Sequence, residues 1–157
     1  MLDQIIDITP FSWPGILSAL ACGAIIGFER QILGKPVGIR TGMLICLSTY
    51  IFVAVAKAVA SETTDPSRVV GQIITGVGFL GAGVMMSRNG LIIGVTSAAA
   101  IWILAAIGVT VASGYHLTGI KLAILGVVVL VGIEIVEKMF ISMRQGVHAK
   151  LNARKED

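Results

Sequence analysis

The sequence predicts an all-α, polytopic helical membrane protein with about five transmembrane helices, its amino terminus outside and its carboxyl terminus inside. Three observations predict it. Of 157 residues, 55% are hydrophobic and 13% charged, with a mean hydropathy of +0.91, whereas soluble domains carry about 25% charged residues. The charges cluster in short stretches between apolar runs that approach the roughly 20 residues needed to cross a bilayer core as a helix. The basic residues divide unevenly between alternate connections, which sets orientation. An ordinary soluble domain, a disordered tail and a disulfide-rich module are excluded. The runs do not alternate apolar with polar, which argues against a β-barrel.

Segment one spans about 13–28. Trp13 and Pro14 open it, as suits an interfacial aromatic and a first-turn proline. Glu29 and Arg30 close it. No Lys or Arg precedes Arg30, and Asp3 and Asp7 are acidic. A signal peptide wants a basic start, so this run is read as a retained span. Segment two spans about 37–59, with Arg40 and Lys57 near its ends, where long side chains snorkel. A polar loop follows. Its Asp65-Pro66-Ser67 reads as a helix start, an Asp cap before a first-position proline. Segment three spans about 68–86, and a re-entrant path is its main alternative. Residues 87–90 read as a tight polar turn. Segment four, about 91–113, has no charge. Gly114-Tyr115-His116 reads as a short loop before segment five, about 117–140. The chain thus divides into a transmembrane domain, 1–141, and a short basic cytoplasmic tail, 142–157.

With the amino terminus outside, Arg30, Lys35, Arg40, Arg88, Lys138, Arg144, Lys150, Arg154 and Lys155 lie inside, and only Lys57, Arg68 and Lys121 lie outside. The net charge of +3 is therefore explained by topology, and nucleic acid is not an expected partner. Cys22 and Cys46 fall inside apolar runs and read as packed free thiols.

Several side chains depart from plain spans. Gly76-Val77-Gly78-Phe79-Leu80-Gly81 matches GxGxxG formally. A dinucleotide site needs a preceding strand and a later acid, so the glycines, with Gly83, read as close-packing positions instead. Gly23 and Gly27 repeat that pattern in segment one. Arg68, Gln72 and Thr75 recur at i, i+4 and i+7 and share a helical face. That stripe is either a polar pathway or a set of interhelical hydrogen bonds. Glu29, Arg30, Lys35 and Arg40 bracket the first connection, either as a solvated basic loop or as a binding cluster in which Glu29 pairs with Arg30 or Arg40. Asp65 and Glu134 are weak metal candidates. Asp65 reads equally as a cap, and Glu134 equally as a helix-end marker. Thr96 and Ser97 can bond across helices, Trp102 reads as packing, and His116 stands alone beside Tyr115. No nucleophile with a placed base, phosphate loop or His/Cys metal cluster stands out. The expectation is a protein that is not an enzyme and has no resident cofactor.

These motifs resemble the MgtC/SapB family of bacterial inner-membrane proteins. The resemblance rests on Gly27-Phe28-Glu29-Arg30-Gln31, Gly38-Ile39-Arg40-Thr41, Asp65-Pro66-Ser67-Arg68-Val69, the glycine run to Gly83, and Gly94-Val95-Thr96-Ser97 through Trp102. It implies a plasma-membrane protein of stress adaptation: growth under magnesium limitation, acid resistance, or survival inside host cells. Members are called magnesium transporters, yet their roles look regulatory, and the founding virulence factor is associated with restraining the F-type ATP synthase. The resemblance adds weight to Glu29, Arg30, Arg40, Thr41, Asp65, Arg68 and Gln72. Longer members carry a soluble carboxyl-terminal domain resembling ACT domains, and this chain reads as a membrane-core-only member. Two functions follow as expectations. One is a regulator that binds another membrane protein, such as an ATP synthase or ion transporter. The other is a transporter or channel for Mg²⁺ or another cation. Besides the lipid bilayer, a second copy of the chain is an expected partner, a dimer being the simplest form.

Overall fold

A computed structural model describes residues 7–60, 65, 67–88 and 91–139. The expected tail, 142–157, lies outside the described residues, as do Pro66 and most of the polar loop before it. Five helices are long and apolar enough to span a membrane: α1 (Trp13–Ile32), α2 (Ile39–Ala58), α3 (Ser67–Val84), α4 (Val95–Ala112) and α5 (His116–Met139). A hairpin of β1 (Met86–Arg88) and β2 (Leu91–Ile93) joins α3 to α4, with Met86 opposite Ile93 and Arg88 opposite Leu91. Successive helices run in opposite directions, which defines a Trp13 end and an Arg30 end of the bundle.

Uncharged α4 is the central element. It buries Ala100, Ile101, Leu104, Ile107, Gly108 and Val111, as expected of a helix that is apolar all round. Helices α1 and α2 pack on it and on each other, α5 covers α1 and α4, and α3 rests on α4 while barely touching α2.

Glycine sets the closest approaches. A Cβ on Gly23 would lie 2.5 Å from Cα of Met43, and one on Gly27 would lie 2.6 Å from Cα of Ile39. Between α2 and α4 a Cβ on Gly108 would meet the Cys46 carbonyl at 2.8 Å. The Cys46 thiol donates to the Leu104 carbonyl across that seam at 3.1 Å. In lipid, such backbone proximity replaces the hydrophobic drive between helices. Gly81 meets Ala98 at an ordinary 3.6 Å, while Gly76, Gly78 and Gly83 face open space in the single chain.

The structure departs from the sequence reading at three places. Helix α1 runs one turn further, to Ile32, because Glu29 and Arg30 are buried rather than solvated. Of the turn expected at 87–90, Ser87 and Arg88 lie in strand β1 while Asn89 and Gly90 lie outside the described residues, and the strand Leu91–Ile93 delays α4 to Val95. Trp102, expected as a packing residue, is 54% exposed and lines an apolar cavity between α4 and α3. The third segment is a continuous 18-residue helix. Both cysteines are free and buried.

The α1–α2 seam gives a direct test. Gly23→Ala should lower unfolding stability in mild detergent by about 1–3 kcal/mol through overpacking. Gly132→Ala, on α5 with nothing within 4 Å of the added carbon, should be neutral or slightly stabilising.

Candidate functional site

The last turn of α1 carries Glu29 and Arg30 inward. Arg30 is 1% exposed. Its Nη2 donates to Ser97 Oγ in the first turn of α4 at 2.5 Å. Its Nε donates to the Pro36 carbonyl at 3.4 Å, and its Nη1 is buried without a partner. Arginine stays charged in proteins, so these bonds hold a full charge inside the bundle.

The corner after α1 is built to make them. Gly34, at φ +61°, closes the helix: its N–H donates to the Gln31 carbonyl at 3.1 Å, and the Lys35 N–H donates to the Arg30 carbonyl at 2.9 Å. This is the Schellman arrangement, in which glycine supplies the left-handed residue. Val37 then adopts φ +70°, a costly conformation for a β-branched residue. Its side chain is buried in the core cluster, which holds the chain there and keeps the neighbouring Pro36 carbonyl on Arg30. Gln31 Oε1 accepts from the Ile39 N–H at 3.3 Å at the start of α2.

Glu29 is 7% exposed, and both its carboxylate oxygens are buried without hydrogen-bond partners. It pairs with neither Arg30 nor Arg40. It lines a cavity of about 300 Å³ between α1 and α5, together with Phe28, Ile32, Val127, Val131 and Glu134. Glu134 accepts a 2.6 Å ion-pair hydrogen bond from Lys35 Nζ, with both side chains about one-third exposed. That bond ties the α1–α2 corner to the end of α5. Arg40 and Thr41, at the start of α2, are exposed.

Asp65 and Arg68 lie at the other end of the bundle. Asp65 accepts from the Ser67 hydroxyl at 2.7 Å and from the Ser67 amide at 2.9 Å. These bonds, the hydroxyl's first, hold its carboxyl below the usual aspartate range. The two weak metal candidates, Asp65 and Glu134, therefore stand at opposite ends. Among the described residues no three His, Cys, Asp or Glu side chains gather as a metal group.

The Arg68–Gln72–Thr75 stripe is exposed along α3. Thr75 satisfies its hydroxyl on the Gly71 carbonyl at 3.1 Å. Gln72 borders a cavity of about 260 Å³ between α3 and α2, with Ser48, Thr49, Phe52 and Gly76. Only Val77 and Gly81 of α3 are buried. The structure thus joins Arg30, Ser97, Lys35 and Glu134 near Glu29, and leaves the α3 stripe exposed, with Gln72 at the edge of the α2–α3 cavity. The Lys35–Glu134 partnership has no local sequence signal, because 99 positions separate the two residues.

Comparison with known proteins agrees with this architecture. The chain belongs to the MgtC family, whose model matches residues 16–139. It is 44% identical over 122 residues to "Putative magnesium transporter YhiD" of Escherichia coli K12, covering 73% of this chain and 56% of that protein. It is 36% identical over 99 residues to "Protein MgtC" of Brucella abortus, covering 63% of this chain and 41% of the other. It is 37% identical over 94 residues to "Protein MgtC" of Salmonella typhimurium 14028s, covering 60% and 40%. The chain spans about half the length of the relatives it matches. No solved structure matches it.

The Arg30 network predicts an asymmetry between neighbours. Ser97→Ala removes an acceptor from a buried charge and should cost about 1–3 kcal/mol. Glu29→Gln removes a sealed, partnerless carboxylate and should leave the bundle at least as stable. Thermal unfolding of both variants in the same detergent decides it, and equal losses would contradict this account.

Proposed function

We propose that this MgtC-family chain is a non-enzymatic, multi-pass protein of the bacterial inner membrane that serves ion homeostasis under stress by binding another membrane protein. The observation that carries this reading is the state of α3. It is an 18-residue helix of spanning length, yet its own fold fully buries only Val77 and Gly81, with Ile73 and Val84 half-buried against the core. Gln72 lies about 7 Å along the helix from Ser67, at 1.5 Å per residue. A polar side chain at that depth needs protein or water around it. Open glycines at 71, 76, 78 and 83 let a partner helix approach closely. The unequal basic residues support a cytoplasmic Arg30 end. The partner is an integral membrane protein, with an ATP synthase or an ion transporter as the class the resemblance implies.

A second reading, Mg²⁺ transport, draws on Glu29, a partnerless carboxylate that lines one cavity with Glu134, and on the E. coli relative's name. Electrostatics weighs against it. Mg²⁺ wants six close oxygens and dehydrates reluctantly. The buried Arg30 guanidinium adjoins Glu29 in the chain, Lys35 occupies Glu134, and Asp65 is at the far end.

Two measurements separate the readings. A photocrosslinking residue at position 72, in native membranes, should capture a discrete membrane protein, whereas one at exposed Leu117 should not. Proteoliposomes holding the folded protein should pass no more Mg²⁺ than empty ones. Saturable flux that is lost in Glu29→Gln would establish transport instead.

A further inference from the structure

We propose that a cavity at the Trp13 end of the bundle binds a phosphate group, carried by a lipid headgroup or by a free anion. The cavity, about 380 Å³, lies between the end of α2 and the α4–α5 corner. Its wall is as polar as it is apolar, unlike the nearly all-apolar cavities beside Glu29 and Trp102. Ser12, Tyr50, Lys57, Ala112, Gly114 and His116 contribute to it.

The donors come from two helices, Lys57 from the end of α2 and His116 from the start of α5. Lys57 Nζ donates to the Ala112 carbonyl at 3.0 Å. An ammonium has three N–H groups, so two remain for a ligand, and the bond already made fixes where they sit. It also neutralises the carbonyl that would otherwise repel an anion. His116 Nδ1 is enclosed without a hydrogen-bond partner. The Tyr50 hydroxyl accepts from the Ser12 N–H at 3.0 Å and donates to the Ser12 carbonyl at 3.4 Å, so it braces the wall rather than adding a donor.

The corner adds a third contribution. Gly114, at φ +90°, donates to the Val111 carbonyl at 2.9 Å, and the Tyr115 N–H donates to the Thr110 carbonyl at 3.2 Å. This Schellman closure starts α5 at His116. The cavity therefore abuts the positive end of a 24-residue helix, whose first amides lack intrahelical acceptors.

The charge balance favours an anion. Among the described residues Lys57 is the one Lys, Arg, Asp or Glu in the wall. The described acids at this end are engaged elsewhere: Asp7 accepts from Thr9 at 2.9 Å, and Asp65 accepts from Ser67. Phosphate, rather than carboxylate, suits donors arriving from several directions, because it presents oxygens tetrahedrally. The site also lies at the helix ends, the level at which lipid phosphates lie over a spanning bundle.

The test uses the full chain in mild detergent with two probes. Inorganic phosphate is titrated by phosphorus NMR, and retention of phosphatidylglycerol is compared with that of diacylglycerol by native mass spectrometry. The wild type should hold at least one probe. Lys57→Met and His116→Ala should each weaken it about tenfold, as expected for loss of a charge-assisted or buried hydrogen bond. Lys121→Met, at an exposed lysine one turn further along α5, should bind as the wild type does. His116→Ala leaves the Lys57–Ala112 bond intact, so it remains decisive should Lys57→Met unfold. Retention of phosphatidylglycerol alone assigns the site to lipid, and binding of inorganic phosphate alone assigns it to a free anion. Binding of neither, an unchanged His116→Ala, or an equal loss in Lys121→Met overturns the proposal.

Discussion

A guanidinium sealed among membrane helices must be held by its surroundings, and much of the Arg30 end follows from how Arg30 is held. Its acceptors come from distant parts of the chain, the Ser97 hydroxyl on α4 and the Pro36 carbonyl in the α1–α2 corner. Each imposes a condition. Ser97 must lie in the first turn of α4, so the chain before it forms a hairpin that ends in Gly94 at φ +91°. Pro36 must aim its carbonyl inward, and Val37 adopts a left-handed backbone beside it. Strain of about 1–3 kcal/mol persists only where the surroundings over-determine it. Here the buried Val37 side chain does so. Breaking a buried charge network costs far more than keeping it, so the strained corner and the arginine sustain each other.

The two kinds of glycine then divide the bundle. Gly23, Gly27 and Gly108 sit where a methyl group would strike the backbone of a neighbouring helix, so α1, α2 and α4 form a body with little freedom. The glycines of α3 mostly meet nothing. Both sets look alike in sequence, since spacing reveals which residues share a face but not whether another helix of the same chain lies on it. That distinction belongs to tertiary structure. It turns a uniform packing motif into a rigid core and an uncovered helix.

The spans themselves were legible, because length and apolarity suffice to mark them. The Asp65 turn was legible because Ser67 is two residues away. Positive φ at Gly34 and Gly114 follows from their places just past helix ends. The site was only half legible. Glu29 and Arg30 drew notice as charges beside an apolar run, which reads as an exit into solvent. Their burial depends on Ser97, 67 positions later, and on α5 closing over them. The strand Leu91–Ile93 was hidden for the opposite reason, being apolar enough to merge with the helix that follows.

A rigid body beside an uncovered helix constrains mechanism more than any single side chain does. An ion path needs ligands along its length, yet the described acids are divided between the two ends, and Glu134 is clasped by a lysine. A regulator needs one stable scaffold and one face that is incomplete alone. The Arg30 network and the glycine seam supply the scaffold. In the proposed function the α3 stripe is that face, because the bilayer penalises an amide that neither protein nor water covers. The same penalty makes the contact conditional. In the absence of a partner, α3 gains little by leaving α4, since Val77 and Gly81 are its buried anchors. With a partner present, Gln72 and the open glycines gain a surface that the chain's own fold leaves vacant.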